Sequence, residues 1–509
     1  MNEQWIHTCQ MEIEDFRKTI NAFQAGDLSK KDYKGISGGM GSYAQRDPEG
    51  HMLRLRMPGG RLTTERLGFL ADTVAAYQVK RLKLTTCETV QLHDLEAEQV
   101  PLIMKSAMDA GIYCRGGGGD NPRNVMSSPL SGVQRGEAFD VLPYAEAATE
   151  YLLSICRDIK MPRKLKIAFC NGADDCVHSA FRDMGFLAQE NGTFSLSIAG
   201  GLGNQHRMGV PVAENVAPSE ILYYIRAMID TFCAHGNYEN RAKARTRYLQ
   251  ETLGKDGLKD TFLANVARRK AQGGLDLSVT QREITKTGAG TISDPRAIPQ
   301  KQTGLYAVAY QPIGGDLPVD KPARLHDRLK QIPAAECRIG PDETLYIINL
   351  TAEEAQAVLT ATADGAETEF ERSVACIGAA VCQQGVRDSQ SLLRAAVLAV
   401  REAGIPDGAL PKVVISGCPS SCAAHQAGEI GFQGCVKPVD GKPQPAFKLF
   451  LGGSDALGKA RFGEPVAVIL EKEIPAMLVE LGHAAAEQGW KRWSAEHTAE
   501  RDAIIARYA

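Results

Sequence analysis

Two regions of this chain pass from apolar–polar alternation to apolar residues at helical spacing and back again. In LRLR (53–56), Leu53 and Leu55 fall on one face of a strand and Arg54 and Arg56 on the other. TERLGFLADTVAAY (64–77) then carries the spacing of a helix, and KLTTCETVQL (83–92) the signal of a strand. LYAVAYQ (305–311), ARLHDRLKQI (323–332) and TLYIINL (344–350) repeat that succession, and a longer α/β stretch follows each time. Mixed order of this kind predicts an α+β fold with helices on one face of each sheet, not a doubly wound parallel sheet.

The repetition extends to residue identity. MLRLRMPGGRL aligns with AVAYQPIGGDL, placing Gly59 and Gly60 on Gly314 and Gly315, 255 positions later. The spacing holds through Thr89 with Thr344, Leu95 with Leu350 and Glu98 with Glu353. Further on, Arg123 falls on Arg372 (249), Lys164 and Cys170 on Lys412 and Cys418 (248), and Phe186 on Phe432 (246). A slowly falling offset is what loop shortening produces, because connections tolerate deletions better than packed elements do. The chain is therefore read as two related halves, and the polar, Gly/Pro-containing residues 271–302 as the connector between them.

A length of 509 residues supplies about three domains' worth of packing. With 58 basic and 61 acidic side chains the net charge is −3, so no global field attracts nucleic acid or anionic lipid, and basic chemistry has to be local. No apolar run approaches the roughly 18 residues of a membrane span, and the first residues lack the basic-then-apolar order of a secretory leader; a cytoplasmic protein is expected. In that compartment thirteen cysteines are thiols or metal ligands rather than a disulfide framework.

Four of them form two tight groups, Cys376 and Cys382 in CIGAAVC and Cys418 and Cys422 in GCPSSC. Between the groups SQSLLRAAVLAVREAG predicts a helix capped by Ser389 and ended by Gly404, so a helix and a strand return the second loop toward the first. Gly378, Gly417 and Pro419 suit a backbone wrapped closely around a centre. A single cysteine is most simply a small buried hydrophobe, as Cys9, Cys114, Cys156, Cys233, Cys337 and Cys435 are read here. Two pairs point instead to a soft-ligand centre, a structural zinc site or, given their wider spacing, an iron–sulfur cluster.

CxGxxxC followed by GCPxxC and HQAGEIGF (425–432) resembles the siroheme-containing sulfite and nitrite reductases, as do the duplicated halves and YKGISGGMGSYAQR (33–46). The resemblance implies two pseudo-two-fold, ferredoxin-like half-domains (51–119 and 303–366), a cationic siroheme-type domain (120–270), an iron–sulfur/siroheme domain (367–509) and an N-terminal segment (1–50). It implies that Cys376, Cys382, Cys418 and Cys422 hold a [4Fe-4S] cluster, with Cys422 also the axial ligand of siroheme. In the first half Ser127 stands opposite Cys376, and Cys170 and Cys176 opposite Cys418 and Cys422, so that half reads as having lost the cluster.

The basic residues show the reverse asymmetry, with Arg54 opposite Ala309 and Lys166 opposite Val414. The resemblance places Arg54, Arg123, Lys164 and Lys166 on the distal face of siroheme as catalytic groups. Lys83 and Asn124 join Arg54, Arg123 and Cys422 as cofactor contacts. Four converging cations repel, by about 3 kcal/mol for a pair 6 Å apart at an effective dielectric of 20, so the site needs anions. One position departs from the family: Cys87 stands where a siroheme-contacting arginine is common, with Lys83 as a partial substitute. In CRGGGGDNPRN (114–124) the glycine run is either an amide cradle for an anion or a plain turn. His93 and His425 lack metal-ligand spacing and are read as structural.

The implied reaction is six-electron reduction of sulfite to sulfide, which the lysine pair of KLK favours. Reduction of nitrite to ammonia is the nearer alternative, and a corrin-pathway oxygenase or tetrapyrrole-binding role on the same fold the more distant one. With no flavin- or nicotinamide-binding segment in the sequence, a ferredoxin or a flavoprotein is expected as the electron donor.

Overall fold

The computed structural model describes residues 3–47 and 49–509, and the chain divides into two compact units. The first runs to Gly201 and resumes over His206–Tyr310 and Leu317–Ala363; the second comprises Leu202–Gln205, Gln311–Asp316 and Asp364–Ala509.

Both half-domains lie almost wholly in the first unit. One sheet runs Ser42–Ala44, His51–Leu55, Val90–Leu95, Arg81–Leu84 and the short strand at Asp316–Leu317. The other runs Ala297–Pro299, Tyr306–Tyr310, Leu345–Leu350, Glu336–Ile339 and Arg61–Leu62. Each half thus lends a two-residue strand to the other's sheet, Leu62 pairing with Cys337. The duplication holds to the residue: Arg54 pairs with Gln91 as Ala309 pairs with Tyr346, and both central pairs carry a bulge at the same step. Gly59 and Gly314 adopt φ of 57° and 64°. A Cβ on Gly60 would lie 2.3 Å from the Ile339 carbonyl oxygen, so the close approach of the halves requires glycine there. Helices Thr64–Tyr77 and Lys321–Leu329 pack on these sheets, and Leu53, Leu67, Leu92, Val308, Leu325 and Ile347 share one core.

The predicted strand Lys83–Leu92 is interrupted. The Thr85 hydroxyl accepts the N–H of Cys87 (3.3 Å) and of Thr89 (3.2 Å), and Glu88 takes a left-handed φ of 56°. These local bonds offer the backbone an alternative to the ladder, so the segment becomes a hairpin with Cys87 and Glu88 at its tip.

The longer α/β segments build two sheets of matching order. In the first unit it is Val210–Val216, Phe194–Ile198, Met184–Ala188, Ile167–Cys170, Met126–Ser127; in the second, Glu464–Leu470, Lys442–Leu451, Ile430–Val439, Val413–Ser416, Val374–Ala375. Their registers correct the correspondence between halves. Ile167 pairs with Met184 as Val413 pairs with Ile430, an offset of 246, so Lys166 corresponds to Lys412 and not Val414. Cys170 then corresponds to Ser416, and Gly172 to Cys418; Cys176 still matches Cys422. The N–H of Ser128 donates to Phe169 (3.0 Å) as that of Cys376 does to Ile415 (3.1 Å), making Ser128 rather than Ser127 the counterpart of Cys376. Matching identities slid the alignment by two residues, whereas strand pairing admits one register.

His51 and His93 are buried as neutral rings. His51 lies against Tyr33 and Gln24 (3.2 Å each) and His93 against Gln45 (3.0 Å). Burial holds His51 near 4 and, with Arg81 adding, His93 near 3. Unfolding lets both bind protons near pH 6.5, so stability falls as pH drops below 6.5 and levels off only below 3–4. By pH 5 the loss is expected to reach about 4 kcal/mol for the two, visible as a lower urea midpoint than at pH 7. His93→Gln is expected to flatten that dependence; an unchanged slope would contradict the assignment.

Candidate active site

In the second unit, parallel strands Val374–Ala375 and Val413–Ser416 end side by side; Cys376 directly follows the first, and Cys418 the second after Gly417. Cys376 Sγ accepts the Gly417 N–H (3.2 Å). The helix Ser389–Glu402 is capped by Asp388, whose carboxylate accepts from Gln390 and Ser391, and not by Ser389. A carboxylate at the cap accepts two N–H groups at once, which frees the Ser389 hydroxyl to donate to the Cys376 carbonyl (2.7 Å), 3.2 Å from its sulfur. The Gly417 carbonyl accepts from Val386 (3.0 Å) and Arg387 (2.8 Å), tying the end of the first cysteine loop to the second.

Cys376 lies in the field of Cys422, and Cys382 in those of Cys422 and Cys418. Burial, with the Cys422 charge next among the groups that raise it, pushes the Cys376 thiol up to about 12; burial, then Cys422 and Cys418, also raises Cys382. Thiols that repel one another's ionised forms become thiolates cheaply only around a cation. Among the described residues no three His, Cys, Asp or Glu side chains close on a single metal ion. Each thiolate of an iron–sulfur cage binds its own iron, which a spacing wider than that of usual zinc cysteine pairs suits. The donor set, backbone N–H groups aimed at sulfur and glycine-lined turns fit such a cluster. A Cβ on Gly417 would meet the Arg387 carbonyl oxygen at 2.4 Å. Gly417→Ala is therefore expected to lower bound iron per chain by half or more while the far-UV circular dichroism holds; full iron content would contradict it.

In the first unit, basic side chains gather around the hairpin tip. Arg54, opposite Gln91, gives Nε (3.1 Å) and Nη2 (2.5 Å) to the Gln91 amide oxygen, which is oriented by its amide nitrogen on His93, and Nη1 (2.5 Å) to Gly117. Arg123 donates to Gly117 (3.0 Å) and Gly119 (2.8 Å), while its Nε is buried without a hydrogen-bond partner. The glycine run is thus no amide cradle. It turns carbonyls onto the arginines, and its Gly116, Gly117 and Gly119 N–H groups go to Gly39, Cys114 and the Tyr43 hydroxyl. Its glycines are explained by packing, since a Cβ on Gly118 would sit 2.5 Å from both the Gly38 oxygen and the Tyr43 hydroxyl. Arg56 is buried among the carbonyls of Arg115, Pro122 and Arg123 and holds that loop.

Lys166 enters from the strand Ile167–Cys170. Buried Asp183 accepts its N–H (2.8 Å), bonds from Arg245 (3.0 Å) and one from the Thr246 hydroxyl, which fixes where the lysine starts. The Lys166 side chain hydrogen-bonds Cys87. Burial would raise that thiol, but Lys166, Arg182 and Arg54 outweigh it and bring it down to about 6. Lys164 lies two positions earlier and is partly exposed. Asn124 is buried, its amide nitrogen on the carbonyls of Met57 (2.8 Å), Cys87 (3.0 Å) and Glu88 (3.2 Å), so it anchors the tip. Lys83 departs from expectation: it is 2 % exposed and ion-paired at 2.7 Å with equally buried Glu343, which engages the ammonium expected to contact the cofactor.

Arg182, Arg163, Tyr43 and Asp183 were missed by sequence reasoning. Arg182 was within its reach, because the corrected register sets it against Gly428, the same asymmetry that singled out Arg54. Tyr43 is lowered from its ordinary value: burial raises it, but Arg123, the Gly119 N–H, Arg54 and Arg163 prevail. Arg247 is likewise buried with Nε and Nη1 unpaired. Orphaned guanidinium donors and gathered cations fit a polycarboxylate such as siroheme together with a small anion.

Four thiols on two adjoining loops and, on another sheet, gathered guanidinium groups are the donor types that a metal-dependent reductase of oxyanions requires. A family profile described as "Nitrite and sulphite reductase 4Fe-4S domain" matches residues 118–270, and one described as "Nitrite/Sulfite reductase ferredoxin-like half domain" matches 43–110. Residues 43–110 and 118–270 thus match domains of the nitrite and sulfite reductase family, and the chain is an oxidoreductase; enzymes of that family use siroheme and a [4Fe-4S] cluster. The first profile falls on the copy whose cysteine set is incomplete.

Among relatives, the chloroplastic ferredoxin–nitrite reductase of Zea mays is 27% identical over 426 residues, covering 79% of this chain and 73% of the relative. Sulfite reductase (ferredoxin) 1 of Mycolicibacterium paratuberculosis is 24% identical over 458 residues, covering 84% and 80%. The NirA protein of Mycobacterium tuberculosis shares the fold, with a TM-score of 0.79 at 22% identity over 96% of this chain and 97% of that one. Among the described residues no helix is long and apolar enough to cross a membrane.

Proposed function

We propose that the chain performs six-electron reduction of a small oxyanion, sulfite to sulfide or nitrite to ammonia, with electrons from a ferredoxin-type donor. The observation that carries this reading is the gathering of Lys166, Arg182, Arg54 and Arg123 around one position in the first unit. Cys376, Cys382, Cys418 and Cys422 would hold the cluster, with Cys422 also serving siroheme; Arg54, Arg123 and Lys164 would hold carboxylates and substrate. Siroheme and cluster, when bound, would supply single electrons to the substrate.

The protein's own part is charge and protons. Arg54 commits three of its five N–H groups to Gln91 and Gly117, which leaves it rigid with two for an anion. Lys166 and Tyr43 are the groups placed to pass protons to departing oxygen. Lys164 and Lys166 favour sulfite; the engagement of Lys166 by Cys87 favours nitrite as the second reading. Steady-state oxidation of a reduced viologen, with product counted as sulfide or ammonia, is expected to consume six electrons per anion. A holoprotein that reduces neither anion would refute the proposal.

A further inference from the structure

The thiol of Cys87 is the one nucleophile among these cations, and reduction of an oxyanion gives it no task. It sits at the tip of a hairpin held by the Thr85 hydroxyl and by the Asn124 amide on the carbonyls of Cys87 and Glu88. The Lys166 side chain bonds it, and Arg182, Arg54 and Arg123 bear on it from three other segments. Beside it Glu88 is fully buried, with Oε2 on the Ser127 N–H (3.0 Å) and Oε1 unpartnered, and burial raises that carboxyl well above its usual range. The second copy places Asp342 at the position equivalent to Cys87, so an ionisable acidic group occupies this tip in both halves.

We infer that Cys87 is a specificity-determining residue: as a thiolate paired with Lys166 it removes one unit of positive charge from the anion site and tunes it to a monoanion, nitrite, over sulfite. The inference rests on the oxyanion-reductase reading and deepens it. Nitrite carries one negative charge throughout the neutral range, whereas sulfite there is a mixture of mono- and dianion. A site with one cation neutralised gives up more attraction for the dianion than for the monoanion. The low thiol value is consistent with ionisation under these conditions. Since Lys166 donates to Cys87, loss of the thiolate also returns that ammonium to the substrate.

The test is anion binding to the siroheme-loaded enzyme, read as the change in its absorption spectrum on titration with nitrite and with sulfite at constant ionic strength. Cys87→Ser is expected to shift the ratio of the two dissociation constants toward sulfite by about tenfold, a one-charge effect. Cys87→Asp, which keeps the charge, is expected to leave the ratio within about twofold of wild type. Steady-state kcat/KM ratios are expected to follow the same order. A ratio unchanged in Cys87→Ser, or moved equally by serine and aspartate, overturns the role of Cys87 while leaving the reductase reading intact. A loaded wild-type enzyme whose spectrum responds to neither anion, and which reduces neither, removes the reading beneath it.

Discussion

Replacing Cys422 by serine is expected to lower oxyanion reduction by at least about a thousandfold. Of the four thiols it is the exposed one, while Cys418 is buried and Cys376 and Cys382 are partly so. A hydroxyl is a hard, poorly acidic donor and a weak substitute for a soft thiolate on iron. If Cys422 serves both cluster and siroheme iron, its loss changes both spectra at once, whereas Cys382→Ser touches the cluster alone. Anaerobic absorption spectra with iron and acid-labile sulfide counts separate the two: Cys422→Ser should alter the siroheme bands, and Cys382→Ser should lower iron and sulfide first. An unaltered siroheme spectrum in Cys422→Ser would remove the shared-ligand role.

Lys83→Met is expected to lower unfolding free energy by about 3–5 kcal/mol, because it leaves the Glu343 carboxylate buried without its ammonium. The double variant Lys83→Met/Glu343→Leu is expected to regain most of that loss, since a well-packed apolar pair avoids desolvating two charges. Urea denaturation of the three proteins checks both statements, and a double variant no better than the single one would refute the pairing as the cause. The duplication shows that this ion pair is a local solution. Arg338, at the position of Lys83 in the second copy, gives its Nε to Glu336 (2.5 Å). Glu88, at the position of Glu343, is raised well above the ordinary carboxyl range by burial.

How far the residues spoke for themselves differs between the two sites. That the two cysteine loops adjoin was legible because four thiols in two loops, with glycine at the turns and a helix and a strand between them, suit a chain that returns on itself. The offset of 255 was legible because the half-domain strands, bulges and left-handed glycines recur without a gap. Lys164 and Cys170 were misregistered by two residues and Ser127 by one, while Phe186 on Phe432 held, because short identities such as a lysine or a cysteine weigh more in an alignment than the hydrogen bonds that set strand pairing. Ser389 was taken for a helix cap because a hydroxyl before a helical run reads as one; Asp388 won with two oxygens.

The chain alone determined the number of halves, the copy with a complete thiolate set, and the surplus of cations in the other; these follow from residue type and order. Tertiary structure decided which cations act. It buried Lys83 in an ion pair, spent Arg56 on loop carbonyls and Asn124 on the hairpin tip, and brought Lys166, Arg182, Arg54 and Arg123 to Cys87. The reason is physical: a charged side chain's chemistry is set by the partners within a few ångströms of it, and these partners lie 33 to 260 residues away along the chain.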